Sequence, residues 1–185
     1  EVNLFLPSQT DNLMNMVTDQ QTVIDGMLSA YKDGEIGGNV YFLNPHGVVV
    51  GSSGIVNVGR LSMVTPTFQF MDSMFGPGNV LSAPSVSAVL ENNVPISPAG
   101  LIDVRGQINA VNGSVLQTGS LSVSGTVQSG NQAVVAIDSL VNLSPSDAST
   151  SIVSFDSDSP ADTKLAALSD MIITGDVTAN ASAGG

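Results

Sequence analysis

One histidine, His46, and no cysteine occur in the 185 residues, so a Ser–His or Cys–His nucleophile has a single base to draw on. That base lies in Asn44-Pro45-His46-Gly47. Asn suits the first position of a type I β-turn, Pro the second and Gly the fourth, which leaves His46 at the permissive third place. The turn reading makes His46 an exposed corner residue, with catalysis and metal binding as its alternatives. A lyase or hydrolase acting on uronic-acid polymers would need a base set beside an acid cluster. Lys32, Arg60, Arg105 and Lys164 are scattered, and the acidic residues of 147–170 lack the spacing of a calcium loop. A solvated acidic loop is the main reading there, and calcium at Asp156, Asp158 and Asp162 is the alternative. Gly34-Glu35-Ile36-Gly37-Gly38 lacks the Lys-Ser/Thr and helix start of a phosphate loop and reads as a turn. No catalytic residue, cofactor or metal is expected.

The elements that position these residues are short. Val2–Leu6 reads as a strand, residues 11–18 as a short helix on the spacing of Leu13, Met16 and Val17, and 22–30 as two strands around a Gly26 corner. Strands follow at 39–43, 47–50, 54–58 and 61–64. The rhythm resumes at Leu101 with runs at 101–104, 107–110, 114–116, 120–123, 126–127 and 133–143, separated by glycines at 100, 106, 113, 119, 125 and 130. Alternation such as Leu121-Ser122-Val123-Ser124 points one side chain inward and the next outward. An imperfect strand-and-corner repeat of this kind is the signature of a stacked coil. Asn57, Asn109, Asn112, Asn131 and Asn142 read as solvent-facing turn positions, with stacked amide ladders as the alternative.

Two stretches break the rhythm. Five of the nine prolines lie in 66–99, so this segment reads as an excursion outside the coil, with helical pieces near 67–75 and 84–91 and apolar residues covering a flank. Residues 144–170 turn to Ser and Asp and read as an acidic loop with one helical turn at 161–168. Met171-Ile172-Ile173 and Val177 give last strands, and 179–185 a frayed end.

Hydrophobic residue types make up 42% of the chain and charged ones 11%, which places it among folded rather than disordered chains. Nineteen glycines and the absence of Trp favour thin β elements over a helical bundle. The net charge of −12 opposes binding to nucleic acid or to an anionic membrane. No window carries the roughly 18–20 apolar residues of a membrane helix. Absence of Cys suits a reducing cytoplasm and equally an exported chain that crosses an oxidising periplasm. Glu1-Val2-Asn3-Leu4-Phe5-Leu6-Pro7 reads as a strand under way, from which a truncated N-terminal cap is expected.

The residues Gly26-Met27-Leu28-Ser29-Ala30, Gly38 through Gly51 and Ile55-Asn57-Val58-Gly59, preceded by Asn3-Leu4-Phe5-Leu6-Pro7-Ser8, resemble the secretion domain of two-partner secretion exoproteins, the filamentous haemagglutinin activity domain. Within that family the chain looks closest to leukotoxin-type and biofilm-matrix adhesins. The resemblance covers 1–64, with 100–143 matched by rhythm alone. It implies an all-β chain, a right-handed parallel β-helix over 1–185 with insertions at 66–99 and 144–170. It implies a non-enzymatic module secreted through the periplasm to the cell surface, recognised by the soluble domains of a partner outer-membrane β-barrel transporter, in service of adhesion and biofilm formation. The family's Asn-Pro-x-Gly turn maps onto Asn44, Pro45, His46 and Gly47, with His46 where Asn is usual. A second reading is a module for matrix polysaccharide, for which Tyr31 and Tyr41 are the polar aromatic platforms.

Overall fold

Alternating apolar side chains decide which way each strand faces, and hydrogen bonds between strands far apart in sequence decide where it lies. A computed structural model describes residues 1–129 together with the strands at 153–154, 164–167, 171–173 and 177–179. The first part holds β1 (Val2–Leu6), β2 (Asn12–Met16), β3 (Thr22–Ile24), β4 (Met27–Lys32), β5 (Glu35–Ile36), β6 (Asn39–Leu43), β7 (Val48–Val50) and β8 (Ile55–Val64). Then come α1 (Phe68–Ser73), β9 (Phe75–Gly76), β10 (Val80–Leu81) and α2 (Ala83–Leu90). The last part holds β11 (Leu101–Val104), β12 (Gln107–Thr118), β13 (Ser120–Val123), β14 (Thr126–Ser129), β15 (Val153–Ser154), β16 (Lys164–Ala167), β17 (Met171–Ile173) and β18 (Val177–Ala179).

The chain is all-β in character, with its strands mainly in parallel sheets. One sheet follows the path β1–β4–β8–β12–β14–β18, and beside that path β2 pairs with β6, β6 with β8 and β16 with β12. A second sheet runs β17–β13–β11–β7–β3. These ladders are parallel, with partners such as Val2↔Leu28, Val40↔Leu61 and Val48↔Ile102. The antiparallel pairs among the described strands are β4–β5, β9–β10 and β15–β16.

Side chains from both sheets meet in one core. Val40, Phe42, Leu61 and Met63 come from the first sheet and Val48, Val50, Ile102 and Val104 from the second, all buried in a single cluster. Each inward aliphatic contributes about 1.5–3 kcal/mol of burial, and between paired strands the backbone N–H and C=O groups satisfy one another.

Several expectations are corrected here. Residues 12–16 form a strand rather than a helix: five consecutive pairings with β6, from Asn12↔Asn39 to Met16↔Leu43, outweigh the helical spacing of Leu13, Met16 and Val17. Residues 54–58 and 61–64 are joined in one ten-residue strand, β8, which continues through Gly59. A Cβ at Gly59 would lie 2.6 Å from the Gly38 carbonyl oxygen, so the close passage of the two strands excludes a side chain there. The runs at 107–110 and 114–116 are likewise one strand, with a register shift between Ala110 and Gly113. The Gly34 turn is a hairpin closing β5 onto β4, with Asp33 and Gly34 at φ values of 53° and 88°. Residues 164–167, expected in a helical turn, are strand β16, paired in parallel with Leu116–Thr118 of β12. The expected strand at 133–143, most of the 144–170 loop and the fraying end beyond 179 lie outside the described residues.

The excursion agrees with its expected helices at α1 and α2. Thr67 caps α1, its Oγ1 accepting from the Phe70 N–H at 3.2 Å. Phe70, Met71, Met74, Val89 and Val94 pack with Tyr41, Leu43 and Val64, which are the outward side chains of β6 and β8. These strands therefore bury both faces, the core on one and the excursion on the other.

Burial raises the Tyr41 phenol above its ordinary value, with Arg60 pulling it partly back. A raised folded-state value means that the stability Tyr41 contributes is complete below about pH 10 and is lost as pH rises beyond it. Urea denaturation at about pH 8 and about pH 11 is expected to show this alkaline loss, and Tyr41→Phe to shrink it. An equal loss in the Phe variant would refute the assignment.

Candidate functional site

The corner between β6 and β7 gathers the residues that the sequence singled out. Asn44 continues the ladder for one more bond, its N–H donating to the Val64 carbonyl at 3.0 Å, and the chain then reverses with the Gly47 N–H donating to the Asn44 carbonyl at 3.1 Å. The four-residue turn expected from Asn44, Pro45, His46 and Gly47 is thus present.

The Asn44 side chain is 1% exposed and uses both of its polar atoms. Its Oδ1 accepts from the His46 N–H at 2.9 Å, which is the local bond of an Asx turn. Its Nδ2 donates to the Gln20 carbonyl at 2.8 Å and to Thr22 Oγ1 at 2.9 Å, reaching the segment that joins β2 to β3. The Thr22 N–H returns the tie by donating to the Gly47 carbonyl at 3.1 Å. One amide therefore shapes its own turn and fastens the turn next to it.

Gly47 is buried, with φ +104°, a region that side chains disfavour. A Cβ there would run into the carbonyl oxygen of Leu101, at the start of β11. Pro45 is buried as well, so the exposed member of the turn is His46. Its Nε2 lies 3.1 Å from the Thr18 carbonyl oxygen, which accepts when that nitrogen carries its proton, and its ring meets Phe68 of α1 edge-on with centroids 5.1 Å apart. Thr18, Gln20, Thr22 and Phe68 were not singled out from the sequence, since only the parallel stacking brings them to this corner.

His46→Ala is expected to cost no more than about 3 kcal/mol, the upper sum of one exposed hydrogen bond and one aromatic edge contact at about 0.5–1.5 kcal/mol each. Chemical denaturation checks this, and a loss above about 3 kcal/mol would show that the ring carries more than these two contacts.

The charged candidates are dispersed. Lys32 pairs with Asp11, and Arg105 pairs with Asp103 at 2.6 Å. Arg60 acts electrostatically on Tyr41. No group of three or more His, Asp or Glu positioned for a metal occurs among the described residues, and Asp156, Asp158 and Asp162 lie outside them. Tyr41, 5% exposed, is covered by the excursion and offers no platform to a sugar, whereas one face of Tyr31 is stacked by Phe5 at 5.4 Å.

Asn57 and Asn109, expected at solvent-facing turns, lie instead within β8 and β12 as directly paired residues. Asn109 Nδ2 donates to Asn57 Oδ1 at 2.7 Å and Asn57 Nδ2 to Ser29 Oγ at 3.2 Å. This is a short amide ladder across three strands.

No family model, curated protein or solved structure matches the chain.

Proposed function

We propose that the chain winds as a right-handed parallel β-helix and serves as the secretion module of a two-partner exoprotein. In this reading it is non-enzymatic, is exported through a dedicated outer-membrane barrel transporter, and nucleates folding of a surface adhesin engaged in biofilm formation. The observation that carries the reading is the Asn44–Gly47 corner, a turn whose side chains are spent on holding successive parallel strands together. The resemblance of residues 1–64 to the secretion-domain family supports it, as does the order in which the strands of both sheets pair.

The burial of Asn44, Pro45 and Gly47 supports a particular mode of action. Once folded, these residues have little surface to offer a transporter domain, so their contribution to export comes from forming the corner as the chain emerges. Only His46 remains for direct contact.

The test is release of the full-length exoprotein from cells carrying or lacking a partner outer-membrane barrel transporter. Appearance in the medium only with the transporter is the expected result. Release independent of it would overturn the reading.

A further inference from the structure

We propose that Met71 and Met74 form an oxidation switch, in which conversion of their thioethers to sulfoxides by peroxide lifts the excursion from the sheet while the stack stays folded. The inference concerns the seal beneath the excursion and stands whether or not the chain is an export module.

Cysteine is absent, so the methionine sulfurs are the side chains that a two-electron oxidant meets first. Their distribution is uneven. Of the seven methionines, Met71 and Met74 are buried between excursion and sheet, at 5% and 0% exposure, and Met14 and Met16 pack partly buried against the same cluster. Among the described residues, the interior shared by the two sheets holds Met63 alone. Met71 lies in α1 and Met74 caps its end, three positions on, so both side chains leave one face of the helix and share a cluster with Tyr41, Leu43 and Val64.

The excursion meets the stack through this cluster, through the edge of Phe68 on His46 and through one buried hydrogen bond, from Gln117 Nε2 to the Asn92 carbonyl at 3.0 Å. Its two ends leave the stack side by side. The Thr67 N–H donates to the Pro95 carbonyl at 2.9 Å and the Ser97 N–H to the Thr65 carbonyl at 2.8 Å. Within the excursion, Ser85 Oγ donates to the Ser73 carbonyl at 2.8 Å and the Ser82 N–H to the Met74 carbonyl at 2.9 Å. Its parts hold one another, and the segment lifts as one piece.

In the oxidation step the sulfur lone pair attacks one oxygen of hydrogen peroxide, and the S–O bond forms as the O–O bond breaks. The proton left on the transferred oxygen joins the departing hydroxide as water; sulfur is oxidised by two electrons and the peroxide is reduced. A polar acceptor now stands where an apolar thioether stood. In the closed state that oxygen is buried in an apolar cluster, and in the lifted state it is hydrated. The penalty on an unsatisfied buried polar group shifts the balance toward the lifted state by at least about tenfold per sulfoxide. Peroxide reaches the two sulfurs when the segment lifts, so their oxidation also holds it there, and a methionine sulfoxide reductase restores the seal.

The experiment treats the folded protein with graded hydrogen peroxide, maps sulfoxides by peptide mass spectrometry and follows backbone amide exchange. Met27, 40% exposed, is expected to oxidise first and to leave exchange over 66–96 unchanged. Sulfoxide at Met71 or Met74 should speed exchange in α1 and α2 at least about tenfold, with β7, β11 and β13 unchanged and Met63 still reduced. Treatment with the reductase should reverse the effect. The double variant Met71→Leu with Met74→Leu, a volume-conserving change that the core tolerates, should keep the excursion closed under the same peroxide. Four results would each overturn the proposal. They are sulfoxides at Met71 and Met74 with unchanged exchange, equal loosening of the double variant, loss of protection in stack and excursion together, and thioethers at 71 and 74 that stay reduced at peroxide levels converting them in the urea-unfolded chain.

Discussion

Gly47→Ala is expected to lower the stability of the folded chain by about 3 kcal/mol or more, the largest effect of any single methyl group at this corner. Two costs combine. A non-glycine residue held at φ +104° is strained by about 1–3 kcal/mol, and the new Cβ collides with the Leu101 carbonyl, where relief requires moving β11 away from β7 at a further cost of about 1–3 kcal/mol. Gly26→Ala is the control, since a Cβ at Gly26 meets nothing within 4 Å. Its expected change is within about 1 kcal/mol of zero. Urea midpoints measured side by side decide the matter, and a Gly47 variant that tracks the Gly26 variant would refute the role given to the corner.

The second large effect is at Asn44. Truncation to Ala removes the partner of the Gln20 carbonyl, Thr22 Oγ1 and the His46 N–H at a part-buried site around the 1% exposed Asn44. Unsatisfied groups of this kind cost about 1–3 kcal/mol each and are not additive, so a loss of about 3 kcal/mol is expected. Asn44→Asp separates two explanations. If the side chain served only its own turn, Asp would replace it well, because the acceptor toward the His46 N–H is retained. In the observed geometry Asp loses both donations and turns a carboxylate oxygen toward the Gln20 carbonyl, so it is expected to be at least as damaging as Ala near neutral pH. Equilibrium unfolding of the two variants measures the difference, and an Asp variant close to the unmodified chain would limit Asn44 to a local part.

Parallel β character was legible in the sequence because its signals are local. Alternation in Leu121-Ser122-Val123 and the Asn44–Gly47 turn act within a few residues of themselves, and the structure contains that strand and that corner where they were expected, whereas Gly59 and Gly113, expected between runs, lie inside β8 and β12. The excursion was legible for the same reason, from its prolines. Residues 12–16 were misread because Leu13 and Met16 fit a helical face as well as they fit a strand, and only pairing with Asn39–Leu43 decides between the two. The amide ladder was undervalued because Asn57 and Asn109 are 52 positions apart. Of the corner, the turn was visible in four adjacent letters, whereas its ties to Gln20 and Thr22 depend on which strands stack, a long-range property that no window of sequence contains.

The excursion leaves and rejoins the sheet at nearly one point. The Ser97 N–H donates to the Thr65 carbonyl at 2.8 Å, and Thr65 itself is bound to the next strand through the Gln117 carbonyl and Thr118 Oγ1, at 2.9 and 3.1 Å. The pairing of β8 with β12 is thus continued by Thr65 past the strand end, and what hangs between 66 and 96 adds one buried tie, the Gln117 Nε2 donating to the Asn92 carbonyl at 3.0 Å. Such a segment is a pendant with a closed clasp. It can lengthen, shorten or change its sequence without shifting a strand, provided that whatever replaces it still shields Tyr41, Leu43 and Val64. Variation between chains of this architecture would accordingly collect in the pendant, while the threonine pair at its root stays bound to the stack.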